Sequence, residues 1–235
     1  TVYGGLPRET EVMAFGPYGR AGLAAFLAER RGNYDLVIIS RPTVMRALQP
    51  LCRNNPRPFG PARLVYDAEA LFAARHALAA RVRGKPLPPD REHELLADET
   101  GLAAGTDIVL TVTAREAEYF RARGTARALV RGHAIEPAST PRPFAGRSGF
   151  LFAGALHDDA SPNADAVLWF AAEVLPLLRR DDATSHFTVA GLNRSPAVQR
   201  LAGDGITVTG RVPDLAPWYD SCRVFVAPLR FAAGL

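Results

Sequence analysis

From Gly149 onward the chain repeats one unit: a short apolar run, a turn carrying glycine, and a stretch with helical spacing. GFLFAGALHDDASPNADAVLWFAAEVLPLL, HFTVAGLNRSPAVQRLA, ITVTGRVPDLAPWYDS and RVFVAPLRFAAGL are its successive copies. Apolar runs without in–out alternation suit strands buried on both faces, so the repeat predicts βα units around a parallel sheet. In such sheets ligands bind at the carboxyl ends of the strands, in the crevice at a topological switch point. Those ends fall at Gly154, Gly191, Gly210 and the loop Ala227–Gly234. Glycine there lets backbone N–H groups come close to a phosphate. The last loop runs to Leu235, so this lobe is expected to be incomplete.

Upstream, the punctuation also predicts strands and helices in alternation. Glu11–Phe15 reads as a short strand, followed by the loop GPYGRAG and the helical stretch GLAAFLAERRG. The glycines at Gly16, Gly19 and Gly22 miss the spacing of a dinucleotide fingerprint and read as a turn. Tyr34–Ser40 is a buried strand, Arg63–Asp67 the next, and Asp107–Thr111 another. Helices are predicted over Glu69–Arg83 and Arg91–Ala104, split by the breaker GKPLPPD. Thr113 is placed to cap the helix AREAEYFRARG, with Glu116 completing a capping box. ALVRGHAI closes this first sheet.

Residues 136–148 break the pattern. Pro137, Pro141 and Pro143 with no apolar periodicity read as a semi-rigid spacer. The expected organisation is α/β: two Rossmann-like lobes with parallel sheets, residues 1–135 and 149–235. Joined lobes of this kind enclose a cleft, a favoured place for ligands.

Composition excludes several classes. No apolar run approaches the roughly 20 residues of a membrane span, and no signal peptide opens the sequence, so a cytoplasmic protein is expected. Cys52 and Cys222 read as buried thiols in a reducing compartment. His76, His93, His133, His157 and His186 are scattered, with no metal-ligand spacing. The net charge of +4 is carried almost wholly by arginine, Lys85 being the only lysine. Arginine with abundant alanine reads as coding bias, and no aromatic interleaving suggests a nucleic-acid surface. A peripheral membrane contact stays open.

The segments FLFAGALHDDASPNADAVLWFAAEVLPLL, VAGLNRSPAVQRLA and GRVPDLAPWYDSCRVFVAPLRFAAG resemble the donor-binding half of group 1 (family 4) glycosyltransferases of the GT-B fold. RLVYDAEALFAARHAL and DIVLTVTAREAEYFRARG resemble the acceptor-side half more weakly. The resemblance implies a GT-B-like protein cut within its donor-binding domain. The Glu-x7-Glu helix that follows in that family is not in this sequence, so the fragment alone is expected to be inactive.

What the resemblance implies for the site is specific. The donor would lie against Gly154, Asn163, Gly191, Asn193 and Gly234, with Arg211, Val212 and Leu215 against the base edge. The family's usual basic pair after the first strand is replaced by His157–Asp158–Asp159, whose carboxylates repel phosphate. Phosphate contacts then fall to Arg194, Arg230 or backbone amides. Asp67 and Glu69 follow a buried strand and could orient or deprotonate an acceptor hydroxyl, or merely cap the next helix. His133 stands at the crossover into the spacer, facing the cleft or bonded to local backbone.

The expected activity is transfer of a sugar from a nucleotide diphosphate sugar to the hydroxyl of a glycan or lipid-linked acceptor. A retaining course, no metal, no cofactor and a role in glycan or envelope polysaccharide synthesis complete the expectation. A sugar-nucleotide epimerase of the same fold and a non-catalytic nucleotide- or glycan-binding module are the alternatives.

Overall fold

The computed structural model describes residues 7, 9–10, 22–55, 57–133 and 135–233, without the side chains of residues 23, 24 and 52–54. The strand expected at Glu11–Phe15, the turn glycines Gly16 and Gly19, and the terminal Gly234 and Leu235 lie outside the described residues. The chain divides into two compact units, one built from Thr1–Ala74 and Pro88–His133, the other from Arg75–Leu87 and Ala134–Ala233.

In the first unit α1 (Leu23–Glu29) is followed by β1 (Leu36–Ser40), α2 (Pro42–Asn54) and β2 (Arg63–Asp67). Then come α3 (Phe72–Val82), which from Arg75 onward belongs to the second unit, α4 (Pro89–Gly101), β3 (Ile108–Thr111), α5 (Ala114–Arg121) and β4 (Ala128–Val130). The strands form one sheet in the order β1-β2-β3-β4, every pair parallel. Two helix starts differ from the periodicity reading. The first begins at Phe72, because Glu69 takes φ +54°, which no right-handed helix can include. The second begins at Pro89, whose fixed φ and missing N–H suit the first helical position. Tyr66, Leu71, Leu102, Val109 and Phe120 are almost wholly buried in the core between sheet and helices. Tyr66 and Phe120 meet edge to face with ring centroids 6.2 Å apart.

The second unit runs β5 (Ser148–Ala153), α6 (Pro162–Trp169), a π turn over Phe170–Val174 and α7 (Leu175–Asp181). It continues with β6 (Phe187–Ala190), α8 (Pro196–Gln199), β7 (Ile206–Gly210), α9 (Ala216–Ser221) and β8 (Cys222–Phe225). The sheet is again wholly parallel, in the order β7-β6-β5-β8. The chain therefore builds outward from β5 on one side and then crosses back to place β8 on the other. That reversal between β5 and β8 is the switch point at which doubly wound sheets bind ligands.

The helical spacing of Val167, Phe170, Ala171, Val174 and Leu178 predicts one buried stripe, and Pro176 predicts a kink or early end to that helix. Instead Pro176 follows a wide turn in a nearly continuous helical run. Leu175 N–H bonds to Phe170 O, five residues back, so one extra residue enters the turn. The insertion shifts the apolar stripe. Val167 and Phe170 are buried as the periodicity predicts, but Leu175 joins them while Val174 and Leu178 pack at the margin. Phe170 stacks obliquely on Phe187 at 4.6 Å between centroids. Among the described residues no helix is long and apolar enough to cross a membrane.

Candidate functional site

The carboxyl edge of the first sheet carries a strained cluster. Asp67 ends β2 and pairs in register with Ser40 at the end of β1. Beyond them Arg41 has φ +79°, ψ +143°, and Glu69 has φ +54°, both outside the negative-φ regions that side chains favour. The Ser40 hydroxyl donates to Glu69 Oε1 at 3.0 Å, and Arg41 Nε lies 3.1 and 3.0 Å from the two Glu69 oxygens. An exposed ion pair contributes about 0–1 kcal/mol, whereas each strained residue costs about 1–3 kcal/mol. The pair alone therefore cannot hold this geometry.

Backbone bonds do so. Arg41 N–H donates to Asp67 O at 2.9 Å, Ala68 N–H to Leu110 O at 3.0 Å, and Glu69 N–H to Asp67 Oδ1 at 3.2 Å. Leu71 N–H donates to the buried Glu116 carboxylate at 2.9 Å. Phe72 and Ala73 donate to the two oxygens of buried Glu99 at 2.8 and 2.6 Å. The Asp67 carboxylate thus accepts from its own turn and does not cap α3, whose first amides go to Glu116 and Glu99, while standing half-buried at the strand end. His133 is exposed beyond β4 and makes no hydrogen bond to Asp67 or Glu69.

At the carboxyl edge of the second sheet the predicted glycines meet. Gly191 has φ +128°, and a Cβ there would fall 2.2 Å from Gly154 O. Only glycine lets these two strand ends touch. Gly154 N–H bonds to Ala190 O at 3.0 Å and Gly191 N–H to Gly210 O at 3.0 Å, which ties the ends of β5, β6 and β7 together. Asn163 Nδ2 donates to Ala155 O at 2.8 Å, pinning the loop after β5 to the start of α6. The loops after β5 and β6 run side by side, with Leu156 bridged to Asn193 and Arg194 N–H bonded to Leu156 O at 2.7 Å. Asn193 Oδ1 accepts from Ser195 N–H at 2.8 Å, while its Nδ2 is buried without a partner.

The acidic loop His157–Asp159 does not present its carboxylates to the switch point. Asp158 Oδ1 accepts from Ala160 N–H at 2.8 Å, closing its own turn. Asp159 accepts the Ser195 hydroxyl and, at 3.1 Å, Ala197 N–H at the start of α8. Those two donors hold its carboxyl below the usual carboxylate range. The charges are thereby engaged locally.

Arg230 follows β8 and reaches Asp165 in the first turn of α6, with Nε–Oδ2 at 2.8 Å and Nη2 on Oδ1. This bidentate pair links the two loops that flank the switch point. Its bond to Asp165 keeps the Arg230 guanidinium above its ordinary pKa. Arg194 and Arg211 are exposed, and their guanidinium groups bond to none of the described residues. Val212 and Leu215 are half-buried after β7, and Asp214 Oδ1 accepts from Ala216 N–H at 2.9 Å, closing the turn that leads into α9.

The structure thus brings Gly154, Asn163, Gly191, Asn193 and Arg194 to one edge, with Arg211–Leu215 after the neighbouring strand. Sequence reasoning missed Asp165 as the partner of Arg230, Asp159 as the cap of α8, and Arg41 as a strained neighbour of Glu69. An acid in the first turn of a helix that follows a glycine loop was the legible signal for Asp165. Arg41 left none, since its backbone angle is imposed by tertiary bonds. Half of the expected capping box also differs: Thr113 accepts from Glu116 N–H, but the Glu116 carboxylate reaches Leu71 rather than back to Thr113 N–H.

Residues 147–235 match the family described as Glycosyl transferases group 1. No curated protein matches this sequence. Among solved structures, TarM superposes with TM-score 0.59 at 10% identity, covering 88% of this chain and 39% of that protein. An α,α-trehalose-phosphate synthase (UDP-forming) from Burkholderia xenovorans in complex with glucose-6-phosphate gives 0.53 at 15% identity, covering 89% and 56%. A trehalose-6-phosphate structure from E. coli bound with UDP-2-fluoro glucose gives 0.56 at 14% identity, covering 92% and 57%. The chain spans less than two thirds of the length of each. The fold is that of GT-B glycosyltransferases.

Proposed function

We propose that this chain, GT-B in fold and matched to group 1 glycosyltransferases over residues 147–235, forms part of an enzyme that moves a sugar from a nucleotide diphosphate sugar to an acceptor hydroxyl. The observation that carries the reading is the Gly154–Gly191 contact at the carboxyl edge of a sheet whose order reverses beside it. The Gly154 and Gly191 amides themselves are spent on the sheet, so a diphosphate would be met by the loops that leave this edge, and Arg230, fixed by Asp165, stands on the loop across the reversal. Arg194 and Arg211, on the same edge, are cations whose guanidinium groups bond to none of the described residues. One solved relative carries a UDP-sugar analogue and another glucose-6-phosphate, which supports a nucleotide-sugar donor and a hydroxylated sugar acceptor here.

In the proposed reaction the acceptor oxygen bonds to the anomeric carbon as the bond from that carbon to the diphosphate breaks, and the acceptor's hydroxyl proton passes to the departing diphosphate oxygen. The departing diphosphate takes up the negative charge, which arginines and backbone N–H groups offset. Asp67 orients the acceptor hydroxyl, and the rate gain comes chiefly from positioning. A retaining course, a glycan or lipid-linked acceptor in envelope polysaccharide synthesis, and action without a metal belong to the same proposal.

Calorimetry of the full-length protein against UDP, GDP and ADP, alone and as their glucose or mannose conjugates, tests it. One nucleotide should bind, and Arg230→Ala should weaken it by about tenfold or more, as loss of a charged hydrogen bond worth about 1.5–3 kcal/mol requires. Absence of binding to every nucleotide would remove the donor site. Epimerisation of the bound sugar without transfer would assign the site to an epimerase.

A further inference from the structure

We infer that Glu99 and Glu116 are positioning residues for the turn that carries Asp67 and Glu69, an inference that rests on the proposed acceptor-side role of that turn. The three consecutive amides at the start of α3 all donate to carboxylates from other helices. Leu71 N–H goes to Glu116 Oε1 at 2.9 Å, Phe72 N–H to Glu99 Oε1 at 2.8 Å, and Ala73 N–H to Glu99 Oε2 at 2.6 Å. The two acids are only 4% and 6% exposed. Buried carboxylates are costly unless hydrogen-bonded, and a helix N-terminus supplies both the donors and a favourable dipole. Glu99 stands on α4 and Glu116 on α5, so two helices converge on one backbone segment.

The clamp sits four residues from the reacting edge. On one side of the turn, Asp67 is fixed in the sheet opposite Leu110. On the other, Leu71–Ala73 is fixed by the two acids. Between them lies Glu69 in a conformation its side chain disfavours, with φ +54°. A turn held in strain relaxes when one of its fixed points loosens, and the carboxylates of Asp67 and Glu69 move with it. Glu116 also accepts the Thr113 hydroxyl at 3.2 Å, so the loops after β2 and β3 share one brace. Both acids bond the amides at the start of α3, so each acts through the turn. Glutamine at either position keeps one acceptor oxygen and loses the charge and the second acceptor.

The test compares Glu99→Gln, Glu116→Gln, Asp67→Asn and the two double variants in the full-length protein. UDP-glucose, GDP-mannose and ADP-glucose serve as donors. Rates are measured for transfer to acceptor and for donor hydrolysis without acceptor. Each Glu→Gln change is expected to lower kcat for transfer by between about tenfold and a hundredfold, as misplacement of a reacting group does. Donor KM and acceptor-free hydrolysis should stay within about twofold of wild type. Each double variant should lose little beyond Asp67→Asn alone, because both changes disable one positioned group. Should a carboxylate variant fail to fold, Phe72→Pro removes one clamp N–H where a helix start tolerates proline, and the same loss is expected. Transfer and hydrolysis falling together, or additive double variants, would overturn the inference and leave the acids as props of the fold. Normal transfer in Asp67→Asn would instead overturn the catalytic reading of the turn, and the inference with it.

Discussion

Gly191 shows how much one absent methyl group decides. Its φ of +128° already disfavours any side chain, and a Cβ would sit 2.2 Å from Gly154 O and 2.9 Å from Gly154 C. The obstacle is backbone, which cannot swing aside as the tip of a side chain can. Gly203 has a similar φ of +120° but open space around it. Gly191→Ala should therefore destabilise by about 3 kcal/mol or more, and Gly203→Ala by about 1 kcal/mol. Thermal melts of the two variants check this directly. Equal losses would mean that the β5 and β6 ends are not in contact, and the proposed diphosphate cradle would lose its geometry.

At the scale of elements, α8 shows an acid working where phosphate binding was the first concern. Pro196–Gln199 is a short helix whose start is satisfied twice over, by Ser195 Oγ accepting from Val198 N–H at 3.2 Å and by Asp159 accepting from Ala197 N–H at 3.1 Å. Because these bonds favour the charged carboxylate, the folded protein holds the Asp159 proton less tightly than the unfolded chain does. Its contribution is thus present above the ordinary carboxylate pKa of about 3.9 and is lost as pH falls through the lower folded value. Asp159→Asn should melt below wild type at pH 7, with the gap closing as pH falls below the ordinary carboxylate range. A gap that is unchanged at low pH would show that packing of the loop, not its charge, secures α8.

The π turn is a second lesson at this scale. The apolar spacing from Val167 to Leu178 predicted one buried stripe, and its first half, Val167 and Phe170, is buried as expected. Beyond Phe170 the extra residue hands the buried place to Leu175. Proline at 176 offers no N–H, so a wide turn before it leaves no regular helical bond to be broken at that point. Periodicity carries no signal for an insertion of this kind until the core has chosen which side chain it will accept.

For the molecule as a whole, the spacer is more sharply divided than its prolines suggest. Residues 135–139 are exposed, Ile135 at 79%. From Arg142 onward the segment is tied to the second unit. Arg142 N–H donates to Asp220 Oδ1 at 2.8 Å, Arg223 Nε to Arg147 O at 3.0 Å, and the Arg223 guanidinium covers the Phe144 ring at 5.0 Å. Proteinase K under native conditions should cut first within residues 135–141, and mass spectrometry of the early fragments locates the cut. First cleavage at residues 143–147 would show that these bonds do not hold in solution, and first cleavage inside α6 would contradict two separately folded units.

By itself the sequence determined the described strands, their parallel direction within α/β units, the glycines at the strand ends and the cap at Thr113. Each of these is local: a run of apolar residues, a turn residue or a hydroxyl three positions from an amide acts through neighbours in the chain. Tertiary structure alone decided that Asp165 holds Arg230, 65 residues away, and that Asp159 turns its charge onto α8. It decided too that Glu99 and Glu116 clamp the turn after β2, leaving Arg41 and Glu69 in backbone conformations no propensity favours. A buried carboxylate goes to whichever unsatisfied N–H the fold brings within reach, and that meeting exists only once the sheet and its helices have packed.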